Sequence, residues 1–215
     1  MLTRRAFVVS AAASLIAAPA LAALPVPATR ALAFRIVRKG SEIGSHRLEF
    51  QTRGDALTVS IDVEMLVKFG PIPVFRYSHR NLEHWQGGQF VSMEAKTNND
   101  GDAAFASVRR DAGGLVVDGS KSGRYIAPAN ALAATHWNVA ELSGPMINPE
   151  NGAMLKPTVA DKGVETIEAG GRPTKATRYS WRDDGAIDLW YDGEGVWTAL
   201  AFHAKDGSTV NYERI

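Results

Sequence analysis

Side chains that can do chemistry are most concentrated in the segment from Val74 to Trp85. Its twelve positions hold two histidines, one glutamate and three aromatic residues. Imidazole and carboxyl groups can bind a metal ion or exchange protons with a substrate, and aromatic rings can line a ligand pocket. The local backbone decides between these kinds of site, because it determines which side chains share a face.

An extended strand puts alternate residues of this segment on opposite faces. Tyr77, His79, Glu83 and Trp85 then share one face, and His84 lies on the other. The two histidines could not bind one ion together in a strand, and their spacing of five residues also differs from the i, i+4 spacing of a helical pair. The sequence therefore predicts no metal site.

His79 and Glu83 cannot bond to each other directly along such a strand, because their Cα atoms would be about 13 Å apart. A buried polar group without a partner costs about 1–3 kcal/mol, so each needs a neighbour, and Thr97 is a candidate. Three interpretations stay open. The two groups are satisfied inside a core, they line a ligand pocket with Tyr77, or they act together in catalysis.

Two further candidates, His136 and Trp137, lie in the middle of the chain and could reach the same cavity. Binding pockets need mainly apolar walls and a few polar groups that orient the ligand. The sequence therefore predicts a ligand-binding site that combines aromatic, imidazole, hydroxyl and carboxyl side chains, namely Tyr77, His79, Glu83, Trp85, Thr97, His136 and Trp137. It predicts no cofactor and identifies no catalytic residue.

Other polar motifs indicate turns and exposed faces. Asp188 shares a strand face with Trp190 and Asp192, and this pattern is typical of a solvent-facing strand that ends in a turn. Residues 98–102 are weakly similar to a calcium-binding loop, but Lys96 stands where the first acidic ligand is required, so a hairpin turn is predicted. The chain has no Gly-x-Ser-x-Gly motif, phosphate loop or dinucleotide fingerprint.

The elements that would position these side chains are β-strands. Short strands joined by tight glycine, aspartate and asparagine turns are antiparallel neighbours and are typical of a sandwich or barrel. We predict an all-β, mainly antiparallel fold, a single β-meander that closes into a barrel or half-barrel. Its eleven predicted strands are Ala33–Lys39, Ser45–Arg53, Leu57–Phe69, Val74–Trp85, Phe90–Thr97, Ala103–Asp111, Gly163–Glu168, Thr174–Arg182, Ala186–Asp192, Val196–Lys205 and Thr209–Ile215.

The run from Leu57 to Phe69 shows the period of a strand most clearly. Its odd positions are all apolar, and its even positions are mainly polar or charged. A strand with this pattern covers a core with one face and meets solvent with the other. We therefore predict that Val63 points inward and that Glu64 points into water.

Residues 128–157 interrupt the series of strands. Asn130 can cap a short helix that ends near Ala140, and a loop rich in proline, glycine and asparagine follows. A large curved sheet needs a cover for its inner face. We predict that this helix and loop segment packs over one end or the inner side of the sheet, and a long exposed crossover is the alternative.

The chain begins with the features of an export signal. Arg4 and Arg5 precede an apolar run from Phe7 to Ala18, and Ala20-Leu21-Ala22 is a small-x-small cleavage site. The two arginines are typical of the twin-arginine route, and an ordinary secretory signal is the alternative. We predict a signal peptide over residues 1–22, cleavage near Ala22, and a periplasmic protein.

Length, cysteine content and charge limit what the chain after residue 22 can be. About 193 residues remain after the removal of 22 from 215, which is enough for one domain with a full core. We predict a flexible segment at 23–32 and a single barrel-like domain at 33–215, without disulfides because the chain has no cysteine. Loss of two arginines takes the net charge from +1 to about −1, which favours neither nucleic acid nor an anionic membrane surface. We expect a monomer with no integral membrane segment.

Several separated motifs occur in an order that resembles a family of exported proteobacterial proteins known as a domain of unknown function. The resemblance spans Ala33 to Ile215 and is carried by AFRIVRKGSEIGSHRLEF, FRYSHRNLEHWQGGQF, AKTNNDGD, THWN, IDLWYD and DGSTVNYE. It implies a single exported β-domain, similar in shape to the half-barrel carriers of lipoproteins and lipids. It assigns no functional residue.

Three functions follow from these predictions. The first is a periplasmic binding protein, not an enzyme, that holds an apolar or amphipathic small molecule, such as a lipid, inside the barrel or half-barrel. The second is a hydrolase-type enzyme that uses His79 with Glu83 or His136. The third is an interaction protein of envelope assembly that pairs through a sheet edge.

Overall fold

A computed structural model of the protein describes residues 24–183 and 185–215. The predicted signal peptide and its cleavage site lie outside the described residues. Sixteen strands and one 3-10 helix form the described part of the chain. Among the described residues, no helix is long and apolar enough to cross a membrane.

The first half of the chain is an eight-stranded antiparallel meander. Each strand pairs with the next along the chain. The strands are β1 (Ala31–Arg38), β2 (Ser41–Arg53), β3 (Ala56–Phe69), β4 (Ile72–Gln86), β5 (Gln89–Asn99), β6 (Asp102–Asp111), β7 (Gly114–Gly119) and β8 (Gly123–Ala127). β7 and β8 were not predicted, because they are short and bounded by glycines.

The second half adds a small sheet and a second meander. The small sheet contains β9 (Leu132–Ala133), β10 (Met146–Ile147) and β11 (Met154–Leu155), with the 3-10 helix (Val139–Ser143) between its first two strands. The second meander contains β12 (Thr158–Ala169), β13 (Arg172–Arg182), β14 (Ala186–Asp192), β15 (Trp197–His203) and β16 (Thr209–Arg214).

The two meanders join into one sheet through the strands nearest the chain ends. β16 pairs antiparallel with β1, with Tyr212 opposite Ile36, so the thirteen strands form one continuous sheet. β12 and β8 are its edges, and they do not pair with each other. The prediction of an all-β, antiparallel, barrel-like fold is confirmed, and the sheet is open.

Side-chain alternation decides which face of this sheet is buried. Leu57, Val59, Ile61 and Val63 are all at most 5% exposed, whereas Glu64 is exposed. Burying such side chains is the main favourable contribution to folding, at about 1.5–3 kcal/mol each. The predicted orientation of β3 is therefore confirmed. We call the face that carries Val63 the inner face of the sheet.

Residues 128–157 cover the inner face, as predicted. Trp137, Met146 and Ile147 are at most 1% exposed and belong to the same core as the sheet residues. The segment also packs closely against β7: a Cβ atom added at Gly119 would lie 2.3 Å from the carbonyl oxygen of Asn151. Only glycine permits this approach, so the cover is fixed on the sheet.

The predicted helix from Asn130 to Ala140 is wrong. His136 has a φ of +69°, a left-handed conformation that ends any right-handed helix at that point. Asn138 instead caps the 3-10 helix, and its side chain accepts a hydrogen bond from the backbone N–H of Ala140 at 3.1 Å. Tertiary contacts override the helix propensity of this alanine-rich stretch.

Candidate functional site

Glu83 anchors the covering segment to the sheet. Its carboxyl group is fully buried on the inner face of β4. One oxygen accepts a hydrogen bond from the hydroxyl of Thr135 at 2.7 Å, and the other accepts from the indole N–H groups of Trp85 at 2.9 Å and Trp137 at 3.1 Å. Three partners for one carboxyl group explain why a glutamate can stay in the core.

Burial raises the pKa of Glu83 to about 7, although the three hydrogen bonds favour the ionised form and act in the opposite direction. The desolvation of a fully buried carboxyl group outweighs them, since the charged form loses its contact with water. Near neutral pH the group therefore exists in both protonation states. Its cluster of hydrogen bonds to Thr135, Trp85 and Trp137 joins the sheet to the covering segment.

A cavity of about 370 Å³ lies beside this cluster, between the inner face and the covering segment. Aliphatic and aromatic side chains make up much of its wall. Polar side chains from both the sheet and the cover complete it. The residues that line it include Ile61, Val63, Met65, Tyr77, Ile187, Leu200, Phe202 and Tyr212, with His46, His79, Thr135, His136 and Glu150 as the main polar groups.

His79 and His46 supply imidazole groups from the sheet. His79 lies 2.8 Å from the hydroxyl of Thr97, as measured from its Nδ1 atom, and burial lowers its pKa to about 4. His46 is 6% exposed, and neither of its ring nitrogens has a hydrogen-bond partner among the described residues. Burial and the nearby imidazoles of His136 and His79 lower the pKa of His46 well below its ordinary value. Both rings are therefore neutral at pH 7.

His136 supplies the third imidazole, from the covering segment. Its Nδ1 atom lies 2.9 Å from Oε1 of Glu141, and its backbone N–H donates to Oε2 of the same carboxyl group at 2.9 Å. Glu141 is only 1% exposed. The ring also packs edge-on against Trp181 and Trp197, at centroid distances of 5.6 and 5.8 Å. The positive φ of His136 thus belongs to a backbone turn that wraps a buried carboxyl group and holds the imidazole in one orientation.

Tyr77 links the other end of the cavity to the cover. Its hydroxyl donates a hydrogen bond to Oε1 of Glu150 at 2.5 Å. Burial, and then the charge of Glu150, raise the pKa of Tyr77 well above its ordinary value, so the phenol stays protonated. The same causes, burial first, raise the pKa of Tyr212.

The structure separates the predicted site residues into two groups. Tyr77, His79 and His136 line the cavity, and Thr97 holds His79 from the next strand. Glu83, Trp85 and Trp137 form the anchor cluster, in which both indole N–H groups donate to the carboxyl group of Glu83. His79 and Glu83 have different partners, so the structure does not bring the pair together as a proton-transfer unit, and His136 pairs with Glu141.

Four residues of this region were not predicted as part of the site: His46, Glu141, Glu150 and Tyr212. His46 shares a strand face with Leu48 and Phe50, and that was the available signal that its imidazole is buried. The two glutamates lie in the irregular part of the cover, where no periodicity indicates orientation. No group of three or more His, Cys, Asp or Glu side chains with metal-binding geometry occurs within residues 24–183 and 185–215.

A larger depression of about 980 Å³ lies on the other face of β2 to β6. Arg80 there pairs with Asp62 at 2.8 Å and with Glu64 at 3.2 Å, and all three side chains are at least 42% exposed. Surface ion pairs of this kind are worth little, because both charges stay in contact with water. The inner cavity, whose wall includes the buried imidazoles of His46 and His79, is the stronger candidate site.

Comparison with known proteins agrees with the fold. A crystal structure from Brucella abortus, described as a beta-barrel-like protein of domain of unknown function DUF1849, is similar in shape, with a TM-score of 0.58 and 12% sequence identity. The similarity covers 86% of this chain and 94% of the other. No curated protein matches the sequence. A family model, Domain of unknown function (DUF6134), matches residues 34–215, and the chain therefore belongs to the DUF6134 family.

Proposed function

We propose that the protein is a binding protein that holds one small amphipathic molecule in the inner cavity. The observation that carries this proposal is His46, whose two ring nitrogens are buried in the wall of a largely apolar cavity without a hydrogen-bond partner in residues 24–183 and 185–215. A buried polar group without a partner costs about 1–3 kcal/mol. A ligand with a polar end would satisfy the imidazole and recover that cost.

The cavity limits the size of the ligand. Its volume of about 370 Å³ lies at the low end of the range of ligand pockets, about 300–1,000 Å³. It equals about twelve water molecules at about 30 Å³ each. We infer a single short chain or ring system, so a lipid would place only part of its length inside.

The polar groups limit the chemistry of the ligand. His46 and His79 are neutral at pH 7, because burial lowers the pKa of each. The carboxyl group of Glu150 lies at the cavity wall and is bonded to Tyr77. Neutral imidazoles beside a carboxyl group favour an uncharged hydroxyl, amide or ester group over an anion.

The proposal includes the cellular location of the protein. The arginine pair, apolar run and cleavage motif of residues 1–22 support export to the periplasm. Fractionation of host cells, with immunodetection of the protein, tests this. We expect the shortened chain in the periplasmic fraction, and a full-length chain in the cytoplasm would contradict it.

Native mass spectrometry of the protein purified from its own host cells tests for a bound molecule. We expect an added mass on the wild-type protein and its loss in Met65→Trp, which fills the cavity. Leu82→Trp is the matched control, because Leu82 is 39% exposed on the other face of the same pair of strands, and it should keep the ligand. Wild-type protein without added mass, or equal occupancy in both variants, would contradict the proposal.

His46→Phe gives an independent test. Removal of unpartnered buried nitrogens should raise the free energy of unfolding of the ligand-free protein by about 1–3 kcal/mol. The same change should weaken ligand binding, because the polar end loses its partner. A variant that is less stable and binds equally well would show that His46 has a purely structural role.

One observation favours a second function, hydrolysis. The oriented pair of His136 and Glu141 is the arrangement of a general base and its positioning carboxyl group. The hydroxyl of Thr135 is not free to act as the nucleophile, because it donates its proton to a hydrogen bond with Glu83. The base would therefore activate a water molecule. Chromogenic esters test this: His136→Gln should abolish turnover, and His84→Gln on the other face should not. Absence of wild-type turnover would end this alternative.

A further inference from the structure

The hairpin that joins β3 to β4 carries an exposed apolar surface at its tip. We define the apolar hairpin as residues 66–75, in which Lys68 is the only charged residue. Phe69, Ile72 and Val74 are 79%, 61% and 54% exposed. Other exposed large apolar residues, such as Ile126 and Val164, occur singly on the edge strands. Exposed apolar clusters, unlike single residues, mark interaction surfaces.

The apolar hairpin continues the wall of the inner cavity. Met65 and Tyr77 line the cavity and lie opposite each other in the β3–β4 pair. Val67 and Phe75 form the next pair on the same face, and Phe69 and Ile72 form the last pair before the turn. An apolar path therefore runs from the cavity to Val67 and Phe75, since alternate residues of a strand share one face, and a register shift after Val67 precedes the exposed tip.

The charged residues in the hairpin and directly after it, Lys68 and Arg76, are both basic and could contact phosphate groups. Along the chain, no aspartate or glutamate occurs between Met65 and Leu82, and Lys68 and Arg76 flank the exposed apolar residues. Neither of these two forms an ion pair within the described part of the chain. The side chain of Asp100 lies close by and accepts a hydrogen bond from the backbone N–H of Arg76 at 3.2 Å. Basic side chains beside apolar ones are typical of segments that lie at a membrane interface.

We propose that the apolar hairpin docks on a phospholipid membrane, with Phe69 and Ile72 inserted at the headgroup boundary and Lys68 and Arg76 next to the phosphates. This inference goes beyond ligand binding and does not require a ligand in the cavity. The net charge near zero provides no long-range attraction. Docking is therefore led by apolar insertion and occurs on neutral as well as anionic lipid.

Vesicle flotation tests the proposal. The protein is mixed with phosphatidylcholine vesicles, with or without phosphatidylglycerol, and the fraction that floats is measured. We expect Phe69→Ser with Ile72→Ser to lower the partition coefficient at least tenfold, an order-of-magnitude value for two apolar side chains. The matched control, Ile126→Ser with Val164→Ser, should float like the wild type. Equal flotation of both double variants would overturn the proposal.

Fluorescent labelling locates the contact. The chain has no cysteine, so Phe69→Cys and Ile126→Cys each give one labelling site for a polarity-sensitive dye. Added vesicles should shift the emission of the dye to the blue at position 69 and leave it unchanged at position 126. A shift at both positions, or at neither, would contradict docking through the hairpin. Concentration-dependent dimerisation that Phe69→Ser with Ile72→Ser abolishes, without flotation of the wild type, would assign the surface to a second copy instead.

Discussion

The replacement Glu83→Gln should change how the stability of the protein depends on pH. Glutamine keeps the size of the side chain, and its oxygen can accept from both indole N–H groups while its amide donates to the hydroxyl of Thr135. The hydrogen bonds of the anchor cluster are therefore kept. What is lost is the ability of position 83 to ionise.

The size of the effect follows from the pKa of the buried carboxyl group. The pKa of Glu83 is about 7 in the folded protein against an ordinary value of 4.5, a difference of about 2.5. At about 1.36 kcal/mol for each pKa unit, this amounts to about 3 kcal/mol. A raised carboxyl pKa favours the folded state below pH 4.5, and this contribution is lost as the pH rises through 7.

Urea unfolding, followed by tryptophan fluorescence between pH 4 and 8, measures this contribution. The free energy of unfolding of the wild type should fall by about 3 kcal/mol relative to Glu83→Gln over this range. The buried histidines act in the opposite direction over much of the same range, but they contribute to both proteins and cancel in the difference. Thr135→Val should move the midpoint of this pH-dependent change in stability to higher pH, because the ionised form of Glu83 loses a hydrogen-bond donor. A difference that does not vary with pH would refute this assignment.

Three further predictions concern the cavity and its cover. Tyr77→Phe should lower the free energy of unfolding by about 1–3 kcal/mol, measured by urea unfolding, because Glu150 loses its hydrogen bond at a partly buried site. Gly119→Ala should destabilise the protein by about 1–3 kcal/mol in thermal unfolding, whereas Gly113→Ala, which meets no atom within 4 Å, should be nearly neutral. In the Glu83→Gln background, the free energy of unfolding should fall as the pH drops from 6.5 towards 4, because burial lowers the pKa of His79 to about 4. Adding His79→Gln should make this fall smaller by up to about 3 kcal/mol.

Strands could be predicted because the spacing of apolar residues within a single stretch of sequence indicates a strand and its buried face. Apolar residues at every second position of β3 identify both the strand and its buried side. β7 and β8 escaped prediction because they have only six and five residues, with glycines at their boundaries. Such short runs are not distinguishable from loops by periodicity.

The partners within the site could not be predicted, because they are far apart in sequence. Glu83 and Trp137 are 54 residues apart, and Tyr77 and Glu150 are 73 residues apart. Nothing local indicates that Glu141 turns back on His136 either, since that contact depends on the positive φ of His136. The sequence could name side chains that need partners, and only the fold could supply them.

Because β1 pairs with β16, the sheet cannot be completed until β16 has been synthesised. Arg35 and Glu213, which bond to each other across these strands, are 178 residues apart. Until the ribosome releases the last strand, β1 and β15 each present an unpaired backbone edge near the middle of the future sheet. Such edges recruit other strands, so aggregation should be a hazard for nascent and truncated chains far more than for the finished protein.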